Sequence, residues 1–573
     1  MASPWAEEWR AAEQRERTSI REKGVLGELE PIPKGRKVRT VRYVYKWKPP
    51  TPKPDGSHTS EGPRAKCRAA CRDFHWLGGD SVGETYAPTG KGLTFRLFML
   101  IALLCSLIVH HVDVETAFLY ADLGPDEEYW MTPLPDETGP PGWGYRLRKS
   151  LYGLRVAPRH WYRLLSKVLL AFGFAKSLLD TCLFWKWTPQ GLVMVLIYVD
   201  DILIAAPTEQ LAAEFKAHLQ REFKITDCGP VQRYLSIRVQ YVKGESVRLD
   251  QQAYTQEVLD RFEPQWKPVF GKAAPKKTPL PDNAQEWIYG DREGTTEEES
   301  SWFQNFPFRS LIGCLLYLSI NTRPDIAFAV GLLARVASKP TYGACYCAAW
   351  LLSYLSGTVE QCIMYLFASF ADLYAMVDAD WGGDVARRRS TSGYIVFMCG
   401  GPLAWGSKLM TSIATSSMQA EFQSYYYCIS TLLFIRHLLT ELQMPYLRRV
   451  PMFTDSEAAR YASLNAEHSQ RTKMFEIQYW WSCSFIGDGD QAFIDPIHIG
   501  TSLMTADLLT KVMSVRQCEA LRGHLMGQQP MISKDLIRLG SRAKHQRPQQ
   551  PDDEFEASTR RPAKFRGGDL GSA

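Results

Sequence analysis

The stretch GLVMVLIYVDDILIAAP, residues 191 to 207, places two adjacent carboxylates, Asp200 and Asp201, in sequence that is otherwise apolar. The flanking runs VMVLIYV and ILIAA are short, rich in Val, Ile and Leu, and stop at Pro207. Such composition favours strands over a helix, here two strands joined as a hairpin with the Asp pair at its tip. Asp is an ordinary turn residue. Tight two-residue hairpin turns nevertheless prefer Asn-Gly or Asp-Gly, because they need positive φ. The pair suits a divalent cation better than it suits the turn, and the stretch by itself admits both readings.

A cation needs further ligands. Upstream, LFMLIALLCSLIV at residues 97 to 109 reads as a buried helix, too short to span a bilayer. HHVDVETAFLYADL follows it at residues 110 to 123 and reads as a strand carrying Asp113. Glu115 would share its face, but Asp113 lies deeper in the apolar context. An Asp that merely ends a strand is the plain alternative.

At 573 residues the chain implies several domains, since single cores stop growing near ~250–300 residues. A net charge of +5 is mild for this length and does not by itself announce a nucleic-acid partner. The 13 cysteines lack the paired Cys/His spacing of a zinc site and suit a reduced, intracellular setting. The N-terminus, MASPWAEEWRAAEQRER, is charged and amphipathic, unlike a secretory signal. Basic character is local. Between Lys34 and Arg72 only Asp55 and Glu61 oppose the cations, and Tyr43, Tyr45 and Trp47 alternate among them. The alternation predicts a strand, and the acid-poor, aromatic-laced run predicts a phosphate-tracking surface.

Farther on, DNAQEWIYGDREGTTEEES (282–300) reads as a loop or linker. RSLIGCLLYLSINTRPDIAFAVGLLARVA reads as buried helices broken at Pro324. After residue 370 the pattern changes to short strands, a hairpin and helices. A second set of acids lies there. LYAMVDADWGGD is a strand ending at Asp378, and GYIVFMCGGPLAWGSK a hairpin turned at Gly400-Gly401. SSMQAEFQSYYYC offers a capping box, Ser416 to Gln419, with Glu421 in the second turn of a long helix. VPMFTDSEAARYASL is a strand leading to Asp455, and TADLLTKVM puts Asp507 near a helix start. Each acid alone would be a cap or a solvated residue.

HVDVETAFLYADL, SLYGLRVAPRHWYRLL (150–165) and YVDD (198–201) occur in an order and spacing that resemble the reverse transcriptase of copia-type LTR retrotransposon polyproteins. That family's phrases are close to MDVKTAFLNG, YGLKQAPRxWY and YVDD. VDADWGGD, RRSTSGY, SSMQAEF, RTKMFEI and TADLLTK resemble the same family's SDADWAGD, RRSTSGY, STTEAEY, RTKHIDI and ADILTK. The likeness runs to about residue 512.

The resemblance implies an α+β chain: a right-hand polymerase with fingers, a split-βαβ palm and a thumb or connection, then a ribonuclease H-like mixed-sheet domain. The implied boundaries are a leader at 1–33, fingers and palm at 34–245, thumb or connection at 246–370, the ribonuclease H-like domain at 371–512, and a tail at 513–573, disordered from about 541. It assigns Asp113 and Asp200 as metal-bridging ligands with Asp201 in support, and Asp378, Glu421, Asp455 and Asp507 as the nuclease acids. Each site would hold two Mg²⁺, with Mn²⁺ as a substitute. Phe118 would exclude the ribose 2′-hydroxyl. Lys66, Arg68 and Arg72 would clamp the triphosphate. Gly153 would let the backbone approach template or nucleotide, and Arg155 would contact a phosphate. Arg471 and Lys473 would touch the nucleic acid.

The implied partners are an RNA template, a DNA primer, an RNA–DNA hybrid and dNTPs, with no membrane. A homodimer or other products of the same polyprotein are further implied partners, in a cytoplasmic particle and the nucleus. Four positions depart from the family phrases: Asp73, Val156, Gln419 and Met474. They keep open the alternative of a catalytically decayed or domesticated relic that only binds nucleic acid. A DDE-type integrase shares the two-metal chemistry but has no use for the YVDD pair or the basic region.

Overall fold

The computed structural model describes residues 5–48, 62–74, 85–290, 296–368, 370, 372–465 and 477–530. The chain forms two compact units, Met1–Phe367 with Met526–Gln528, and Ala368–Leu525 with Gln529–Ala573. Both are mixed α/β. Among the described residues no helix is long and apolar enough to cross a membrane.

The first unit is centred on a six-stranded sheet. Its spatial order is Ile225–Pro230, Ile108–Val114, Asp201–Ala206, Gly191–Tyr198, Leu183–Thr188 and Ala175–Lys176. The Asp201–Ala206 strand lies inside this sheet and is apolar on both faces, so the hairpin runs read as unbroken hydrophobic sequence. The helix Gly92–Leu104 is buried nearly all round, as its uninterrupted apolar run requires.

A separate hairpin, Val41–Lys48 with Arg64–Cys71, explains the alternation of the basic run. Pairing puts Tyr43 opposite Ala69, Tyr45 opposite Cys67 and Trp47 opposite Ala65. That face receives the helix Ala6–Glu22. Trp9 lies 5.3 Å from the Tyr45 ring and 4.8 Å from Trp47, and the buried Glu16 accepts a hydrogen bond from the Ala69 N–H at 3.0 Å. Tyr45 and Trp47 therefore meet a helix on one side while remaining partly exposed, at 41% and 38%. The cations occupy the opposite face. There Lys46 pairs across from Lys66, and Lys48 from Arg64.

The 282–300 segment is not a plain linker. Helices cover Ala284–Tyr289 and Glu297–Gln304, and Trp287 stacks on Tyr346 at 4.4 Å. Among its described residues Asp282, Glu286, Glu297 and Glu298 are exposed while Ala284 and Ile288 are buried, a pattern the acid count conceals. The hairpin Ile237–Val242 with Ser246–Asp250 straddles the expected boundary at 245 and joins Arg233–Tyr234 and Ile363–Leu366 in one sheet.

The second unit is built on five strands: Tyr374–Asp384, Arg389–Met398, Gly401–Leu409, Val450–Thr454 and Ile494–His498. Numbered in chain order, they lie three-two-one-four-five. The first three are antiparallel neighbours, and strands four and five run parallel to the first. The hairpin turns at Cys399-Gly400, both at positive φ, one residue earlier than expected. The long helix Ser417–Glu441 packs on strands one and two. Beyond the expected limit at 512, the helix Val515–Leu525 buries Cys518, Leu521 and Leu525.

Two carboxylate sites

In the first unit, antiparallel register sets Asp113 directly opposite Asp201. Residues so paired point to the same face of the sheet. Asp200 is in the adjoining turn, where its carbonyl accepts the Val114 N–H at 2.9 Å. The turn residues are Val199 and Asp200, since Tyr198 already pairs with Asp201. The Asp pair is thus split between turn and strand rather than set together at the tip. Positive φ falls on Val199, at 57°. A β-branched residue there is strained by about 1–2 kcal/mol, and the buried Trp161 indole holds it by donating to the Val199 carbonyl at 2.6 Å.

Burial and the neighbouring Asp200 and Asp201 push the Asp113 carboxyl up to about 6, while Lys48 and Lys66 oppose the shift. Burial and Asp201 also raise Asp200, against Arg68 and Lys66. Lys66 faces these acids from the basic hairpin; its own burial, with Arg68 and Lys48 nearby, brings it down to about 8. Arg68 lies over the Tyr152 ring at 5.0 Å, and Phe118 meets the same ring edge-on at 5.4 Å. Arg72 lies past the strand end and is exposed.

Asp201 has a partner that the sequence reading missed. His111, two residues before Asp113 on one strand face, approaches Asp201 Oδ1 with its Nε2 at 2.9 Å. Burial works against the imidazolium, but its hydrogen bonds to Asp201 and Cys228 raise it to about 10. The period-two spacing of His111 and Asp113 was the available signal.

Two residues of the SLYGLRVAP phrase have structural partners that the sequence did not show. At Gly153, with φ +88°, a Cβ would lie 2.1 Å from the Cys71 carbonyl oxygen. Its smallness lets this loop pack on the basic hairpin, whose Cys71 N–H donates to the Tyr152 carbonyl at 2.7 Å. Arg155 already faces a carboxylate. Its backbone N–H donates to Asp73 Oδ2 at 3.1 Å, its guanidinium is 3.6 Å from the same oxygen, and Arg39 donates to Asp73 Oδ1 at 3.0 Å. The unusual Asp73 is therefore a buried counter-charge for two arginines. Val156 is buried in the core beside Leu154 and Ala157.

In the second unit, strands one and four match Met376 with Phe453, so Asp378 and Asp455 each lie two residues farther along parallel neighbours. Asp378 is in mid-strand, because the strand continues through an irregularity to Asp384. Glu421 enters from the helix Ser417–Glu441. Ser416 caps that helix by accepting the Gln419 N–H at 3.2 Å, and the Gln419 side chain accepts the Thr415 N–H at 2.7 Å. Gln419 is thus committed to the cap.

One ligand oxygen from each of Asp378, Glu421 and Asp455 lies within 4.8 Å of the others, the set of three acids that meets this distance among the described residues. Glu421 Oε2 is buried without a hydrogen-bond partner. Burial, then Asp378 and Asp455, raises the Glu421 carboxyl well above the carboxylate range. Asp507, in the turn Thr505–Leu509, is pushed up to about 7 by burial and by Asp378. Lys511, another residue not anticipated, lies 2.9 Å from Asp507 Oδ1 and 3.8 Å from Asp378 Oδ2. Arg471, Lys473 and the unusual Met474 lie outside the described residues.

Residues 28–277 match the family described as reverse transcriptase (RNA-dependent DNA polymerase). The chain is 31% identical over 507 residues, 88% of its length, to the retrovirus-related Pol polyprotein from transposon TNT 1-94 of Nicotiana tabacum. It is 31% and 30% identical, over 79% of its length, to the Pol polyproteins from transposons RE1 and RE2 of Arabidopsis thaliana. The chain is a homologue of copia-type transposon Pol polyproteins. This homologue spans about a third of those relatives' own lengths, 36%, 30% and 30%. Its reverse transcriptase domain contains Asp113, Asp200 and Asp201, and the second acid cluster lies beyond the matched 28–277 segment.

Proposed function

We propose that the first unit is an RNA-directed DNA polymerase of right-hand architecture and that the second is a ribonuclease H acting on RNA–DNA hybrids. The observation carrying the polymerase reading is the strand register that opposes Asp113 and Asp201 beside the Asp200 turn, inside a reverse transcriptase family domain. The three-two-one-four-five sheet with its acids at neighbouring parallel strands supports the ribonuclease reading.

The donor types of both sets suit a hard divalent cation, and in the second unit Asp378, Glu421 and Asp455 also bring their oxygens within 4.8 Å of one another, a distance that, among the described residues, the first-unit acids do not meet. Each set is made of carboxylates, the ligand type Mg²⁺ prefers, and Mn²⁺ accepts the same oxygens. The partnerless Glu421 Oε2, beside Asp378 and Asp455, supports this reading. Asp113 and Asp200, with Asp201, would hold magnesium in the first unit; Asp378, Glu421, Asp455 and Asp507 would hold it in the second. When bound, magnesium supplies charge neutralisation and an activated oxygen nucleophile, the primer 3′-hydroxyl or a water.

The remaining roles belong to side chains. Lys66 and Arg68 carry positive charge toward the acids, where an incoming triphosphate would need it. Phe118, braced by Tyr152, presents a ring that would clash with a 2′-hydroxyl. His111 holds Asp201 in orientation, and Trp161 holds the turn that carries Asp200. Three departures from the family phrases are absorbed: Asp73 by two arginines, Val156 by the core, and Gln419 by a helix cap. This favours a working enzyme over a relic.

Extension of a DNA primer on an RNA template with Mg²⁺ and dNTPs tests the reading. The wild type should extend, and the Asp200→Asn, Asp201→Asn double variant should not. Synthesis by neither would leave the nucleic-acid-binding relic in its place.

A further inference from the structure

The acid cluster of the second unit is not symmetric in its partners. On one side, Asp378, Glu421 and Asp455 bring one oxygen each within 4.8 Å of the others, and the nine-tenths-buried Glu421 ends there in an oxygen with no hydrogen-bond partner. On the other side a cation is already present. Lys511 Nζ is 2.9 Å from Asp507 Oδ1 and 3.8 Å from Asp378 Oδ2. Its position is fixed by the chain itself, since the Lys511 N–H donates to the Asp507 carbonyl at 3.1 Å. The Thr510 hydroxyl donates to the same Asp378 Oδ2. Asp378 Oδ2 accepts the Thr510 hydroxyl, whereas Asp507 Oδ1, like Glu421 Oε2, has no hydrogen-bond partner and is met only by the charge of the Lys511 ammonium; Asp507 stands outside the three-acid set.

An ammonium lodged between two carboxylates and a divalent ion seeking the same two carboxylates exclude each other, by volume and by charge. We propose that the Lys511 ammonium is the resident cation of the Asp378–Asp507 side. The second unit then takes one divalent ion tightly, on Asp378, Glu421 and Asp455, and a second only by displacing Lys511. This rests on reading the cluster as a metal site and adds to it a charge-bearing residue that sets ion number.

The test is Mn²⁺ binding to the full chain, read by the electron paramagnetic resonance of free ion. It is done in an Asp113→Asn, Asp200→Asn, Asp201→Asn background that removes the three acids of the first unit. One tight Mn²⁺ is expected. Lys511→Met should bind a second with affinity improved about tenfold or more, while Lys511→Arg should still bind one. Thermal unfolding of each variant reports that the unit remains folded. Two ions of similar affinity in the background protein, or an isotherm unchanged in Lys511→Met, would overturn the proposal. An additional Asp378→Asn change separates the two claims: it should abolish the tight ion, and an unaltered isotherm would remove the metal site itself.

Discussion

Replacing Gly153 by Ala separates two explanations of one glycine. The new Cβ would lie 2.1 Å from the Cys71 carbonyl oxygen and 3.0 Å from the Cys71 carbon and nitrogen. The first distance is more than an ångström short of ordinary contact. The obstacle is backbone in a hydrogen-bonded strand, so it cannot rotate aside. The φ of +88° adds left-handed strain, about 1–2 kcal/mol for a residue with a Cβ. Overpacking of this kind costs about 1–3 kcal/mol. Together the loss is about 2–5 kcal/mol of first-unit stability, or roughly 3–6 °C in melting temperature for a unit of this size. Calorimetric or fluorescence melting measures that loss, and the KM for dNTP, taken well below the transition, measures nucleotide access. If the glycine serves packing, the melting temperature falls. An unchanged melting temperature with a raised KM for dNTP would refute the packing argument and restore the ligand-approach reading.

Other expectations follow from the same site. A carboxyl raised in the folded state to about 6 contributes stability below the unfolded value of 3.8 and loses it as pH rises through 6. Asp113→Asn, without divalent ions, should therefore stabilise the chain at pH 7.5 and give little gain at pH 4 in denaturant titrations; an equal gain at both would reject the burial and repulsion assigned to Asp113. Phe118→Ala should raise ribonucleotide incorporation by about tenfold or more if its ring excludes the 2′-hydroxyl. Unchanged sugar selectivity in competition assays would reduce Phe118 to packing. Trp161→Phe leaves the Val199 carbonyl without its donor, a loss of about 1–3 kcal/mol for a buried group. Primer extension should fall with it, and unaltered extension at lowered stability would confine Trp161 to the core.

Much of this was legible where chemistry follows local pattern. The Val- and Ile-rich runs around the Asp pair form the hairpin, because their composition already matches strands buried on both faces. Asp113 lies in a strand whose apolar Val112 and Val114 flank it in alternation. Partners across the sheet were not legible. Nothing in the sequence says that the aromatic face of the basic hairpin meets a helix starting at Ala6, or that Asp73 answers Arg39 and Arg155. Composition was misleading in the acidic 282–300 stretch, where Trp287 and Ile288 decide the docking of the helix Ala284–Tyr289. His111 and Lys511 were visible as residues but not as partners. Their roles depend on side-chain reach toward acids on another strand or one turn away.

The central claim is that two acid clusters, in separate compact units, perform separate phosphoryl chemistries. Its most direct measurement is a crossed assay of DNA synthesis and hybrid-RNA cleavage on the same preparations. Asp200→Asn with Asp201→Asn should abolish synthesis and spare cleavage, and Asp455→Asn should do the opposite. Loss of both activities in either variant would contradict the account.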